Sequence, residues 1–69
     1  MFELVITTRN GTVNHTAVRD WNEANAELSR FINTYSNIHP NDSVIDACVL
    51  NHLGDRVSRF NGRQLEIFN

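Results

Sequence analysis

Residues 20–35, DWNEANAELSRFINTY, read as one amphipathic helix, and the rest of the chain has to be arranged around it. Asp20 suits the N-cap, where a carboxylate accepts from the free N–H groups of the first turn. Glu23 follows three residues later and completes a capping-box variant with Asp in place of Ser or Thr. Trp21, Ala24, Leu28, Phe31, Ile32 and Tyr35 recur at the 3-and-4 spacing of one helical face. The other face carries Asn22, Glu23, Ala26, Glu27, Arg30 and Asn33. Ser36-Asn37 is expected to end the helix, with Asn37 in the left-handed conformation. Pro40 blocks any resumption.

The flanking sequence is strand and turn. Residues 2–8, FELVITT, are rich in β-formers. Asn10-Gly11 is a tight-hairpin signal, because both residues tolerate positive φ. A two-residue turn would pair Arg9 with Thr12, Ile6 with His15 and Leu4 with Ala17. One face would then hold Phe2, Leu4, Ile6, Val13, His15 and Ala17, beneath the helix. The other would hold Glu3, Val5, Thr7, Thr12, Asn14, Thr16 and Val18.

Residues 43–51, SVIDACVLN, admit two readings. Ile45, Ala47 and Val49 alternate against Val44, Asp46, Cys48 and Leu50, as in a central strand. Ile45, Cys48, Val49, His52 and Leu53 also fit a helix ending at Gly54. The β-branched content favours strand. Residues 56–60 and 63–68 form a closing hairpin around Asn61-Gly62. A three-residue loop puts Val57 opposite Leu65 with Ile67 on their face, whereas a two-residue loop puts Val57 opposite Glu66; the first is preferred.

The expected fold is therefore α+β and a single domain over residues 1–69. An antiparallel sheet of four to five strands carries one helix on one face, in the order β-β-α-β-β-β. One helix covers only one face of such a sheet. Val5, Val18, Val44, Cys48 and Leu50 would fall on the uncovered face, an apolar patch of the kind that meets a partner.

Size sharpens that expectation. A chain of 69 residues buries only roughly 60% of its unfolded surface, and small domains lean on disulfides, metals or association. One cysteine, Cys48, excludes an internal disulfide. His39, Asp42, Asp46, Cys48 and His52 match no zinc spacing, so neither a metal nor a cofactor is expected. Self-association into a homodimer is the remaining route. The sequence opens on strand-like residues with no basic-then-apolar leader, and with one free cysteine this points to the cytoplasm.

The charge is −2, which gives no global pull toward nucleic acid or an anionic membrane. No apolar run reaches the roughly 20 residues of a membrane span. The ten asparagines create sequons at Asn10, Asn14 and Asn41, read as accidental. All six basic residues are arginine, a residue suited to planar, bidentate contacts. Three of them, Arg56, Arg59 and Arg63, flank Phe60 in RVSRFNGR, and Arg9 sits at the other hairpin tip. Such a hairpin could grip phosphates and stack a base, which makes a small nucleic-acid-binding protein the alternative reading. The bland reading is a solvated turn whose arginines discourage edge pairing.

Catalysis is not expected. No phosphate loop, HExxH or nucleophile elbow is present. Cys48 and His52 lie four apart, some 13 Å along a strand, and Cys48 is read as a small buried hydrophobe. His15, on the expected core face, is read as a partly buried, hydrogen-bonded histidine.

The opening hairpin FELVITTRNGTVNHTAV, the DWNEANAELSRFI helix and the closing RVSRFNGRQLEIF hairpin together resemble, in layout and size, small phage and mobile-element inhibitor proteins of the anti-CRISPR type. The resemblance covers most of the chain and shares no motif from which binding residues could be mapped. It implies a non-enzymatic protein-binding module that sterically blocks a host protein complex. Contacts are expected at Arg56, Arg59, Phe60 and Arg63, at Arg9, and at Val5 and Val18 on the uncovered face.

Overall fold

The computed structural model describes residues 2–62 and 64–67. The element order is β1 (Phe2–Thr8), β2 (Val13–Val18), α1 (Trp21–Ile38), β3 (Val44–Leu50), β4 (Ser58–Phe60) and β5 (Leu65–Ile67). This is the expected α+β order. The strands divide, however, into an antiparallel three-stranded sheet, β2-β1-β3, and a separate two-stranded ribbon, β4-β5.

The helix forms as its sequence dictates. The Asp20 side chain accepts from the Glu23 N–H at 2.8 Å. Ala24 and Leu28 are buried, with Trp21, Phe31 and Ile32 packed around them. Glu23 and Glu27, four apart and mutually repulsive, are each taken by an arginine: Arg19 bonds Glu23, and Arg30 bonds Glu27. The helix outruns its expected end and reaches Ile38. Asn37 does not turn left-handed; no residue other than glycine has positive φ among the described residues. His39 caps instead, its N–H donating to the Tyr35 carbonyl at 2.7 Å.

The first hairpin departs from the two-residue turn. The Gly11 N–H donates to the Thr8 carbonyl, and the Thr8 N–H to the Thr12 carbonyl. The loop is therefore Arg9-Asn10-Gly11, with only Gly11 at positive φ (91°). A three-residue loop with a left-handed glycine is the next commonest hairpin connection. It shifts the register by one, so that Leu4 faces Thr16 and Phe2 faces Val18. Since side chains alternate, a one-residue slip moves all of β2 to the opposite face. Val18 is thus a core residue at 2% exposure, and Val13, His15 and Ala17 lie on the uncovered side.

The 43–51 stretch is a strand, pairing Ala47 with Ile6 and Val49 with Leu4. A bulge interrupts it: Thr8 pairs with Val44 and Thr7 with Asp46, leaving Ile45 as the extra residue, 57% exposed. Val44 consequently packs on the core side.

Ser58 explains why the sheet splits. Beyond β3 the chain turns through residues 51–55, with Asn51 Oδ1 accepting from Leu53 and Asp55. It returns alongside β3, pairing Arg56 with Leu50, and the Val57 N–H donates to the Val49 carbonyl. The next acceptor is a side chain, because the Val49 N–H donates to Ser58 Oγ at 2.9 Å. With that bond made by a fully buried hydroxyl, β4 leaves the sheet and pairs with β5. In the ribbon Phe60 faces Leu65 and Arg59 faces Glu66. Both registers weighed for this hairpin are therefore superseded: Asn61 and Gln64 close the loop through an N–H to carbonyl bond at 3.1 Å.

One core results, of Leu4, Ile6, Val18, Ala24, Leu28, Ala47, Val49 and Leu65. Helix and ribbon both cover the same side of the three-stranded sheet.

Candidate functional site

Among the described residues, the arginines of the closing hairpin, Arg56 and Arg59, each stand beside a carboxylate. Arg56 extends over the uncovered face of β3, where it bonds Asp46 Oδ2 at 2.9 Å. A hydrogen bond to Cys48, followed by the electrostatic attraction of Cys48 and Asp46, raises the Arg56 pKa above its ordinary value. Arg59 lies 3.7 Å from Glu66 across the ribbon. Phe60 packs inward against the core. Arg63 lies outside the described residues. Arg9 is exposed at the tip of the first hairpin and has no ion-pair partner among the described residues.

Val5 and Val18, expected on one face, are on opposite faces. Val18 is buried under the helix; Val5 is half-buried on the uncovered side, between His15 on β2 and Cys48 on β3. That side has three rows across β2, β1 and β3: Val13–Thr7–Asp46, His15–Val5–Cys48 and Ala17–Glu3–Leu50. Cys48 is buried there at 9% exposure, with Arg56 beside it. His15 is an exposed histidine, not a core one, and its Nδ1 is 3.1 Å from Glu3 Oε1. Val13 is 51% exposed.

The edge of this face is open. In the hairpin, Thr8 and Thr12 form the first hydrogen-bonded pair, so in an antiparallel ladder Asn14, Thr16 and Val18 bond to β1. Val13, His15 and Ala17 then direct their N–H and C=O groups away from β1. β2 is the terminal strand of the sheet.

Asp42, considered above only within a ligand set that matches no zinc spacing, has a structural role that nothing in its spacing signals. It is buried at 6% exposure in a stretch that reads as a polar loop. Its Oδ2 accepts from Thr8 Oγ1 at 3.1 Å and from the Tyr35 hydroxyl at 2.6 Å; its Oδ1 accepts from the Asn10 N–H at 2.9 Å. The Tyr35 hydrogen bond is the largest cause holding its pKa below the usual carboxylate range; burial opposes it, and the Asn10 and Thr8 bonds and the charge of His39 assist. Phe31 stacks on Tyr35 with a centroid separation of 5.0 Å, and His39 lies tilted against Tyr35 at 4.5 Å. Every polar contact of Asp42 is used internally, so it acts as a clamp between the first hairpin and the helix C-terminus.

Among the described residues no group of three or more His, Cys, Asp or Glu is placed to hold a metal. No pocket opens among them, and no helix is long and apolar enough to cross a membrane. Comparison with protein-family models, curated proteins and solved structures finds no match.

Proposed function

We propose that the chain is a non-enzymatic protein-binding module that docks through the uncovered face of its three-stranded sheet. Following the layout resemblance, we propose that it serves as an inhibitor of the phage or mobile-element kind, occupying the surface of a host protein complex. One observation carries the reading. Helix and ribbon both sit on one side, and the opposite face offers Val5, Val13, Ala17 and Leu50 in adjacent rows with a few polar groups between them. Val5 stands at the centre of this face, and apolar positions interspersed with polar groups suit a recognition surface. The nucleic-acid reading is the weaker one: Arg56 and Arg59 are paired with carboxylates and Phe60 is packed inward.

Affinity capture from a bacterial lysate, with and without nuclease, tests this. Wild type should retain a protein after nuclease treatment. Val5→Glu should lose it, while Arg59→Ala should keep it. Val5→Thr, close in shape, guards against a folding defect in Val5→Glu. Retention lost on nuclease treatment, or a partner indifferent to Val5→Glu, would refute the proposal.

A further inference from the structure

We propose that two copies of the chain pair through β2 about a two-fold axis at His15, joining their sheets into one of six strands, β3-β1-β2-β2′-β1′-β3′. The inference stands on the strand edge and does not rest on the partner reading above.

An open edge is normally blunted by charge, proline, a bulge or a covering segment. Among the described residues β2 has none of these: VNHTAV contains no Asp, Glu, Lys, Arg or Pro, and it pairs with β1 without irregularity. Five of its six residues are at least partly exposed. The outward-directed backbone groups belong to Val13, His15 and Ala17, which are spaced symmetrically about His15. An antiparallel copy can therefore satisfy all three residues at once, with Val13 opposite Ala17′, His15 opposite His15′ and Ala17 opposite Val13′. Each such pair exchanges two hydrogen bonds. A shift of two residues in either direction would bring Gly11 or Arg19 into the ladder and leave one β2 residue unmatched within the strand.

The side chains fit the same register. On the uncovered face a half-exposed Val13 meets a small Ala17′ on each side of the axis. On the other face Asn14 meets Thr16′; within one chain Thr16 Oγ1 already donates to Asn14 Oδ1 at 3.0 Å, which leaves the Asn14 amide N–H groups for the neighbour. No formal charges oppose each other within the strand pair, and each His15 stands beside its own Glu3. A foreign strand would have to match both faces independently, whereas a copy does so by symmetry. Strand pairing alone makes a small interface, at the weak end below about 1,200 Å². Dissociation in the micromolar range or above is therefore expected.

Sedimentation equilibrium from about 10 μM to about 1 mM covers that range. Wild type should pass from monomer to dimer. His15→Lys places two ammonium groups across the axis, as natural edges do, and should remain monomeric throughout with an unchanged melting curve at low concentration. The register has its own readout. Opposed Cα atoms in a hydrogen-bonded pair lie about 5.5 Å apart, within disulfide range. In a Cys48→Ala background, His15→Cys should form a covalent dimer on mild oxidation. Val13→Cys should not, and Val13→Cys with Ala17→Cys should. A wild type that stays monomeric at 1 mM, a dimer indifferent to His15→Lys, or cross-linking of Val13→Cys equal to that of His15→Cys would each overturn the proposal. Capture of a different protein through β2, with no self-association, would do so as well.

Discussion

Truncating Val18 and Val13 separately should give opposite results, although both are valines on one six-residue strand. Val18 is 2% exposed and packed with Leu4 and Leu28, whereas Val13 is 51% exposed. Val18→Ala removes two buried carbon groups, about 1.5 kcal/mol at about 0.8 kcal/mol each. A residual cavity of roughly 40 Å³ at about 24 cal/mol per Å³ adds about 1 kcal/mol. The sum is about 2.5 kcal/mol, a large share of the stability of so small a domain. It corresponds to a fall in Tm of roughly 10–20 °C for a chain of this size. Val13→Ala fills no core and should cost about 0.5 kcal/mol, mostly through strand propensity. Thermal and urea denaturation followed by circular dichroism, at concentrations low enough to keep the chain monomeric, would measure both. In the register of a two-residue turn the order reverses, since Val13 would be inside. Equal losses, or a larger loss at Val13, would refute the three-residue loop and with it the assignment of the uncovered face.

Asp42 and Ser58 give two further tests. The carboxyl of Asp42 is depressed by its hydrogen bonds, led by Tyr35, so its contribution is present above the unfolded-state carboxylate pKa and is lost as pH falls through the lower folded value. Asp42→Asn should therefore lower Tm at neutral pH and flatten the acid limb of the stability profile, as read by melting curves across the acid range; an unchanged limb would show that other carboxylates govern it. Ser58→Ala leaves the buried Val49 N–H without its acceptor and should cost about 1–3 kcal/mol in urea unfolding. A loss no larger than that of an ordinary surface substitution would mean that the ribbon can rebuild the bond with its backbone.

Much of the layout was legible because local signals agreed. Asp20, Glu23 and the stripe from Trp21 to Tyr35 leave little freedom for α1. The β-branched residues of the 43–51 stretch correctly favoured strand. Register was not legible, and the reason is specific. Asn10-Gly11 fits a two-residue turn if both residues take positive φ, and a three-residue loop if only Gly11 does; the side chains do not distinguish these. In β2 the more apolar set, Val13, His15 and Ala17, suggested the core side, yet Val18 alone decides the face, because it precedes the helix and lies under it. The split sheet turned on one hydroxyl, and the clamp at Asp42 on an acid within an unremarkable polar loop. Neither leaves a periodic trace. The arginines were legible as composition, but the partners of Arg56 and Arg59 were not, because Asp46 and Glu66 reach them from other strands.

The Ser58 hydroxyl also sets how the molecule can come apart. An uninterrupted ladder between β3 and β4 would couple the ribbon to the central sheet through several main-chain bonds. Here the last bond of the join is made to a side chain, so the ribbon is held by the Val57–Val49 bond and by Phe60 and Leu65 against the core. Opening of the ribbon as a unit breaks these few contacts while β2-β1-β3 and the helix stay closed, an event of lower free energy than global unfolding. In amide exchange, the Val49 N–H should follow this opening, while the N–H groups of Val5 and Ile6 should exchange only when the whole chain unfolds.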